Sequence, residues 1–316
     1  MTSATFNSKH AVLLLAHGSP ERVEDIPEFL RNITGGRGLP DAVVKEVQHR
    51  YELIGSSPLT RITMLQAANV ERELGLRTYV GMRNWMPFTS SAIAQMQADG
   101  VEHAVAICLA PHNSRTSVGL YRKAIDDAPF SVDFVESWHD HPLLIQAFAE
   151  KLTTGWKQAC NEAGTTLPII FTAHSVPQRT VDDGDPYECQ TIHTAQLVAA
   201  EAGFSAEQCK FAFQSQGMSG GAWLGPTVEN TILELKAQGH TGVFIQPIGF
   251  VCDHVEILYD IDIAFKKFAE DHGMKLWRAE SLNGSATFAK AVAAVARERL
   301  NAEGKGCSPS VPEGSK

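Results

Sequence analysis

At 316 residues the chain has length for about two domains with sizeable cores, which excludes a lone small module. A composition of 44% hydrophobic, 20% charged and 8% aromatic residues is that of a globular protein and excludes a fibrous or largely disordered chain. With 27 basic against 36 acidic residues the formal charge is -9; this argues against a nucleic-acid binder, which needs a net basic face, and favours cationic ligands such as metal ions.

The polar N-terminus MTSATFNSKH is followed by the apolar run AVLLLA at 11–16. That run is too short for a signal-peptide core or a membrane span, so a soluble cytoplasmic chain with no transmembrane segment is expected. It also opens a series of short β-rich runs, at 77–81, 103–110 and 131–136, separated by amphipathic stretches. A second series follows at 168–173, 209–214, 241–247 and 274–277. Strands alternating with helices in this way predict βαβ units and parallel sheets. Six cysteines, Cys108, Cys160, Cys189, Cys209, Cys252 and Cys307, lie far apart with no C-x-x-C pair. Buried reduced thiols are therefore expected, with neither a zinc ribbon nor a disulfide framework.

The correspondence between the two series reaches individual residues around an Ala-His pair. LLLAHGSP at 13–20 parallels IIFTAHSVP at 169–177, which makes His17 and His174 equivalent positions at the end of each first strand. QADGVEHAVAICLAP at 97–111 likewise parallels KAQGHTGVFIQPIGF at 236–250. The expectation is two similar α/β domains, 1–162 and 163–304, each a four-stranded parallel sheet flanked by helices, with a cleft between them. Residues 305–316, rich in Gly, Ser and Pro, are expected to form a disordered tail. Ligands of open α/β sheets bind outside the carboxyl ends of the strands, where both histidines stand.

His174 at a strand tip offers an imidazole for proton acceptance or metal ligation, although such a histidine equally serves to cap a loop. The segment GFVCDHVEILYDIDIAFKKFAEDHG at 249–273 predicts a helix from near Asp253, with Asp253, Glu256 and Asp260 on one face. Acidic residues early in a helix commonly complement its dipole. Here they lie among Val255, Ile257, Leu258 and Tyr259, and carboxylates with imidazole suit a borderline divalent ion such as iron. Between these features runs FQSQGMSGGAWLGP at 213–226, which matches no phosphate-cradling motif. Gly217, Gly220 and Gly221 would admit a flat ligand against the backbone, with Trp223 as an apolar face; a loop around one buried tryptophan fits equally well. In the first half Arg37, Arg50, Arg115 and Arg122, with Ser57 and Tyr121, could serve an anionic ligand, though local pattern selects none of them.

Taken together, LLLAHGSP, RYELIGSSPLT, YVGMRNWMPF, APHNSRTSVGLY, TAHSVP, GDPYECQ, FQSQGMSGGAWLGP and GFVCDHVEILYDID resemble the ferrochelatases, in order, from about residue 11 to 300. The size is similar to that of the compact soluble bacterial members, which include the coproporphyrin ferrochelatases. The resemblance implies two Rossmann-like domains, a porphyrin cleft and insertion of ferrous iron into a tetrapyrrole. It places His174 and Glu256 as the catalytic pair facing the macrocycle, Asp260 on an acidic metal path, and Arg50, Ser57 and Tyr121 near the porphyrin. His17 stands where the soluble Gram-positive enzymes carry tyrosine, so an imidazole would approach the iron from the first domain. Thr34 and Gly35 replace arginines ahead of Arg37, and Ala264 replaces a further carboxylate beyond Asp260. The tail carries only Cys307 where some relatives bind an iron-sulfur cluster through four thiolates, so no cluster and no tightly bound cofactor are expected. A monomer acting on porphyrin and ferrous iron is the expected form, with coproporphyrin III favoured over protoporphyrin IX. The competing readings are a sirohydrochlorin or cobalt chelatase of the same fold, and a non-catalytic haem- or metal-binding protein.

Overall fold

The computed structural model describes residues 9–216 and 221–303, so the segment 305–316 lies outside the described residues. The first half runs β1 (His10–Ala16), α1 (Ile26–Ile33), α2 (Asp41–Ile54), α3 (Leu59–Leu74), β2 (Thr78–Met82), α4 (Thr89–Ala98), β3 (His103–Cys108), α5 (Val118–Lys123), β4 (Ser131–Val135) and α6 (Pro142–Ala163). The second runs β5 (Ile169–His174), α7 (Gln178–Asp182), α8 (Tyr187–Glu201), β6 (Cys209–Gln214), α9 (Val228–Ala237), β7 (Gly242–Pro247), α10 (Val255–Leu258), α11 (Lys266–Asp271), β8 (Lys275–Arg278) and α12 (Ala286–Glu303). A π-helical turn, Asp260–Phe265, joins α10 to α11.

Both sheets are parallel and have the same order, β2-β1-β3-β4 and β6-β5-β7-β8. The chain leaves β1 to build β2 on one side and then crosses to β3 on the other, so a crevice opens between the carboxyl ends of β1 and β3. The same reversal lies between β5 and β7. His17 directly follows β1 and His174 ends β5, each beside its sheet's crevice.

The strands read as unbroken apolar runs because helices cover both faces. Ala11, Leu13 and Leu15 enter a core on one face of the first sheet. Val12, Leu14 and Ala16 enter a larger core on the other face, which continues through Ile169, Phe171 and Ala173 of the second sheet. The sequence divides near residue 162, at the end of α6, whereas the packing exchanges helices across that point: α6 lies on α8, β7 and β8, and α12 returns to α3 and β3. Each half therefore completes its apolar layer with a helix bordering or belonging to the other. Polar ties add to this. Gln66 Nε2 donates to the carbonyls of Val251 (3.2 Å) and Asn283 (2.9 Å). Asp185 accepts from Ser114 Oγ (3.1 Å) and from the backbone N–H groups of Arg115 (2.8 Å) and Tyr187 (3.1 Å).

Cys108 and Cys252 are buried and unpaired as expected, but Cys189 is exposed on α8. Among the described residues no helix is long and apolar enough to cross a membrane.

Candidate functional site

The two strand-end histidines are held in the same way. His17 Nδ1 donates to the carbonyl of Gly18 (2.9 Å), and His174 Nδ1 donates to the carbonyl of Ser175 (2.5 Å). A carbonyl only accepts, so each Nδ1 carries its hydrogen and each Nε2 is the nitrogen left to meet other partners. Gly18 makes the first turn possible: its φ is +83°, and a Cβ there would come within 2.8 Å of the Trp85 nitrogen. Behind His174, Gly249 lets β7 pass close, since a Cβ there would sit 3.0 Å from Ala173 Cα.

His174 Nε2 faces Glu256 Oε1 at 3.5 Å, and the other carboxylate oxygen faces His254 Nε2 at 3.4 Å. Burial alone would depress the His174 pKa, but the Glu256 charge and hydrogen bond outweigh it and, with the Ser175 carbonyl, raise it to about 9. Glu256 is the complement: burial opposes ionisation, yet the His174 charge and the hydrogen bonds of His174 and His254 hold its carboxyl well below the usual range. At neutral pH the pair is an imidazolium and a carboxylate. Asp260, one turn on, accepts from Ser215 Oγ; burial first and the Glu256 charge second push its pKa up. Gln214 fixes the backbone here by donating to the Glu256 carbonyl (2.9 Å).

Asp253 does not belong with Glu256 and Asp260. The helix begins at Val255, preceded by His254 in extended conformation, and after Tyr259 it widens into the π-helical turn, with the Ala264 N–H reaching back to the Tyr259 carbonyl (2.9 Å). The Asp253 carboxylate turns away to accept from Ser281 Oγ (2.7 Å) and Asn283 Nδ2 (2.8 Å) and to meet Arg278 Nη1 at 3.3 Å. Arg278 also makes a two-pronged contact with Asp262 (2.6 and 2.8 Å). Asp253, Asp262, Arg278 and Asn283 line a cavity of about 650 Å³ with Lys151 and Glu280. Its size does not make it the reactive centre: it contains no histidine, and its charges already satisfy one another, Lys151 with Glu280 at 2.6 Å. The acidic set beside His174 is thus Glu256 and Asp260.

The opposing wall comes from the first half. His17 is exposed, with its ring 5.9 Å from Phe29. Desolvation by the protein packed around the ring and then the Arg83 charge lower its pKa to about 4, and Glu256 and His254 lie within electrostatic reach of it. His17 is therefore uncharged at neutral pH where His174 is charged. Tyr51, buried on α2, bonds Ser19 Oγ (2.7 Å); burial pushes its hydroxyl up to about 12.

The other expected substrate residues divide. Arg50 reaches the second half, with its guanidinium 4.9 Å from the Tyr259 ring centre and its charge acting on Asp260. Trp223 is half-buried and bridges Pro177, three residues after His174, in a segment pinned by Leu224 N–H to the Val176 carbonyl (3.0 Å). Gly217 and Gly220 lie outside the described residues. Ser57 does not reach the cleft surface: it is 0% exposed, and its Oγ finds no hydrogen-bond partner among the described residues. Tyr121 is a core residue at 4% exposure, its ring beneath Arg83, and burial pushes its hydroxyl pKa up. Arg37 stays on an exposed turn and donates to the Thr34 carbonyl (3.1 Å). Arg115 and Arg122 pair at the surface with Asp183 (2.6 Å) and Glu136 (3.0 Å).

Two residues in the site were not singled out by sequence. His254 was visible only as part of DHVEILYDID, with nothing local to show that it shares a carboxylate with His174. Arg83, within YVGMRNWMPF, sits 5.3 Å from the Tyr121 ring centre with Nη1 buried and no hydrogen-bond partner among the described residues. A cation in that state is available to an anionic group.

Comparison with known proteins gives one consistent result. The family model described as Ferrochelatase matches residues 9–300. A protein of Acidobacterium capsulatum named ferrochelatase is 48% identical over 308 residues, covering 92% of this chain and 94% of that one. The coproporphyrin III ferrochelatase of Bacillus subtilis is 34% identical, covering 92% and 98%. Among solved structures, the sirohydrochlorin chelatase SirB from Bacillus subtilis subspecies spizizenii, in complex with cobalt, is similar at a TM-score of 0.56 with 10% identity, covering 94% and 97%; this likeness concerns the fold alone.

Proposed function

The chain belongs to the ferrochelatase family, and from that premise we propose that it inserts ferrous iron into coproporphyrin III, using His17 on one wall of the cleft and the His174–Glu256 pair on the other. The observation that carries this reading is geometric: equivalent histidines follow β1 and end β5, and His174 Nε2 meets Glu256 Oε1 at 3.5 Å, a contact that raises the His174 pKa while desolvation lowers that of His17. Metallating a free-base porphyrin requires two pyrrole N–H protons to leave while a divalent ion sheds water and enters a rigid plane of four nitrogens. The neutral His17 offers its Nε2 lone pair to the ion without competition from protons at pH 7. Glu256 and Asp260 supply the negative charge that draws the cation in. His174 accepts pyrrole protons in its neutral form and passes them to solvent, while Glu256 stabilises the imidazolium that results.

Weak, exchangeable ligands suit this task, because the site must release iron to the macrocycle. Arg50 and Arg83 supply guanidinium groups for carboxylates at the ring edge, and Trp223 an apolar surface for its face. The preference for coproporphyrin III is supported by the names of the Geobacillus and Bacillus subtilis relatives. A cytoplasmic monomer with no resident cofactor is part of the same proposal.

The test is an anaerobic assay with ferrous iron and coproporphyrin III, protoporphyrin IX or sirohydrochlorin. Coproporphyrin III is expected to have the highest kcat/KM. Preference for protoporphyrin IX would overturn the substrate assignment, and preference for sirohydrochlorin the porphyrin reading itself. His174→Ala is expected to abolish metallation while fluorescence titration still detects porphyrin binding; an active variant would remove His174 from its role.

A further inference from the structure

A second group of histidines stands apart from the cleft, where the loop between β4 and α6 meets the exposed side of α8. We propose that His139, Asp140 and His193 form a separate site for a borderline divalent metal ion, a two-histidine, one-carboxylate set open to solvent. One ligand atom from each residue lies within 4.8 Å of the others. His139 Nε2 and His193 Nδ1 are 3.3 Å apart. Two nitrogens each about 2.0–2.1 Å from one metal, at tetrahedral or octahedral angles, are separated by roughly 2.8–3.4 Å. The two rings thus already have the spacing that chelation needs.

The surroundings set the protonation that a ligand requires. His139 Nδ1 meets Ser137 Oγ at 2.8 Å, and Ser137 Oγ lies 3.0 Å from Gln190 Oε1 and 3.1 Å from the Pro111 carbonyl, both acceptors. The single serine hydrogen goes to one of those acceptors, so the hydroxyl receives the Nδ1 hydrogen and His139 Nε2 is left with its lone pair toward His193. Metal-binding histidines are oriented by this kind of second hydrogen bond. Thr194 Oγ1 donates to the His139 carbonyl at 2.8 Å and fastens the loop to α8, one residue from His193. The loop and the helix therefore hold both rings from bonded backbone positions. Asp140 and His193 are exposed and His139 partly so, which leaves the remaining coordination positions to water.

Two imidazoles and one carboxylate select iron, cobalt, nickel or zinc in the divalent state over magnesium or calcium. The site is separate from the catalytic pair. Buried His112 stands behind it, 6.1 Å from the His139 ring and 6.2 Å from the Tyr187 ring, with Nε2 already bonded to Thr194 Oγ1 (2.9 Å).

Anaerobic titration with Co²⁺, followed by calorimetry and by visible absorption, tests the site. In the His174→Ala/Glu256→Gln protein, which lacks the cleft pair, one Co²⁺ per chain is expected to bind still. Adding His193→Gln, an exposed helix substitution that leaves the fold intact by circular dichroism, is expected to weaken this binding at least 10-fold, and adding His139→Ala to abolish it. Unchanged affinity in both would overturn the proposal. Zn²⁺ is expected to displace the Co²⁺ at equimolar concentration and Mg²⁺ not to do so at 100-fold excess; displacement by Mg²⁺ would overturn the assigned metal class.

Discussion

Replacing Glu256 with Gln keeps the side-chain shape and removes the charge that holds His174 protonated. Burial is the largest single influence on His174 and acts downward, yet the pKa stands at about 9 against the ordinary 6.5. Without the carboxylate, only the Ser175 carbonyl and the Asp260 charge oppose burial, and the pKa is expected to fall back toward 6.5. The rise from 6.5 to about 9 corresponds to about 3 kcal/mol at 1.36 kcal/mol per unit. Because the two side chains keep 32% and 36% exposure, solvent screening reduces the part felt as stability to about 1–2 kcal/mol. The sign follows from linkage. His174, raised in the folded state, contributes fully below pH 6.5, and that contribution is lost as pH rises through about 9. Glu256, lowered in the folded state, contributes above pH 4.5 and loses its contribution as pH falls through the folded value. The stability gap between wild type and Glu256→Gln is therefore expected to be widest between about pH 4.5 and 6.5 and to close toward alkaline pH. Direct observation comes from imidazole resonances in a proton–carbon correlation titration, with His174 assigned by its absence in His174→Asn. At pH 7 about one wild-type molecule in a hundred has neutral His174, against a majority in the variant. The pH limb of kcat/KM is expected to move to lower pH by the same interval, on top of a lower maximal rate from the lost cation attraction. Titration of His174 at the same pH in both proteins would refute the account of the pair.

Two further substitutions test the framework that carries the site. Gly18→Ala places a Cβ at φ +83° and within 2.8 Å of the Trp85 nitrogen; it is expected to cost about 2–4 kcal/mol in urea unfolding, and a loss under about 0.5 kcal/mol would show that the turn after His17 tolerates any residue. Arg278→Met leaves Asp253 and Asp262 without their shared cation in a region where Arg278 is only 15% exposed. The expected loss is about 3 kcal/mol by chemical denaturation at neutral pH, and unchanged stability would mean that water replaces the guanidinium at no cost.

Much of the frame was legible in the sequence. Parallel strands covered on both faces are nearly continuous apolar runs, so AVLLLA, HAVAIC and CKFAFQ announce themselves without knowledge of their partners. The repeated Ala-His pair was equally plain, because equivalent strand ends in two like-ordered sheets carry equivalent residues. Glu256 and Asp260 were within reach as residues one helical turn apart. The expected place of Asp253 failed because the helix starts later than its composition suggests, and Arg278, 25 residues on, captures the carboxylate. Ser57 and Tyr121 read in the sequence as donors for an anionic ligand, and the fold buries both, which depends on packing that no local pattern shows.

By itself the sequence determined that the chain doubles an α/β unit and that two imidazoles stand at corresponding strand tips, since both follow from local periodicity and register. Only the tertiary structure decided that α6 and α12 tie the halves together, that Glu256 lies between His174 and His254, and that Arg83 holds a buried Nη1 without a hydrogen-bond partner among the described residues, within electrostatic reach of His17. Those outcomes depend on distance and exclusion of water between residues far apart in the chain. Through them two equivalent histidines come to have pKa values shifted in opposite directions.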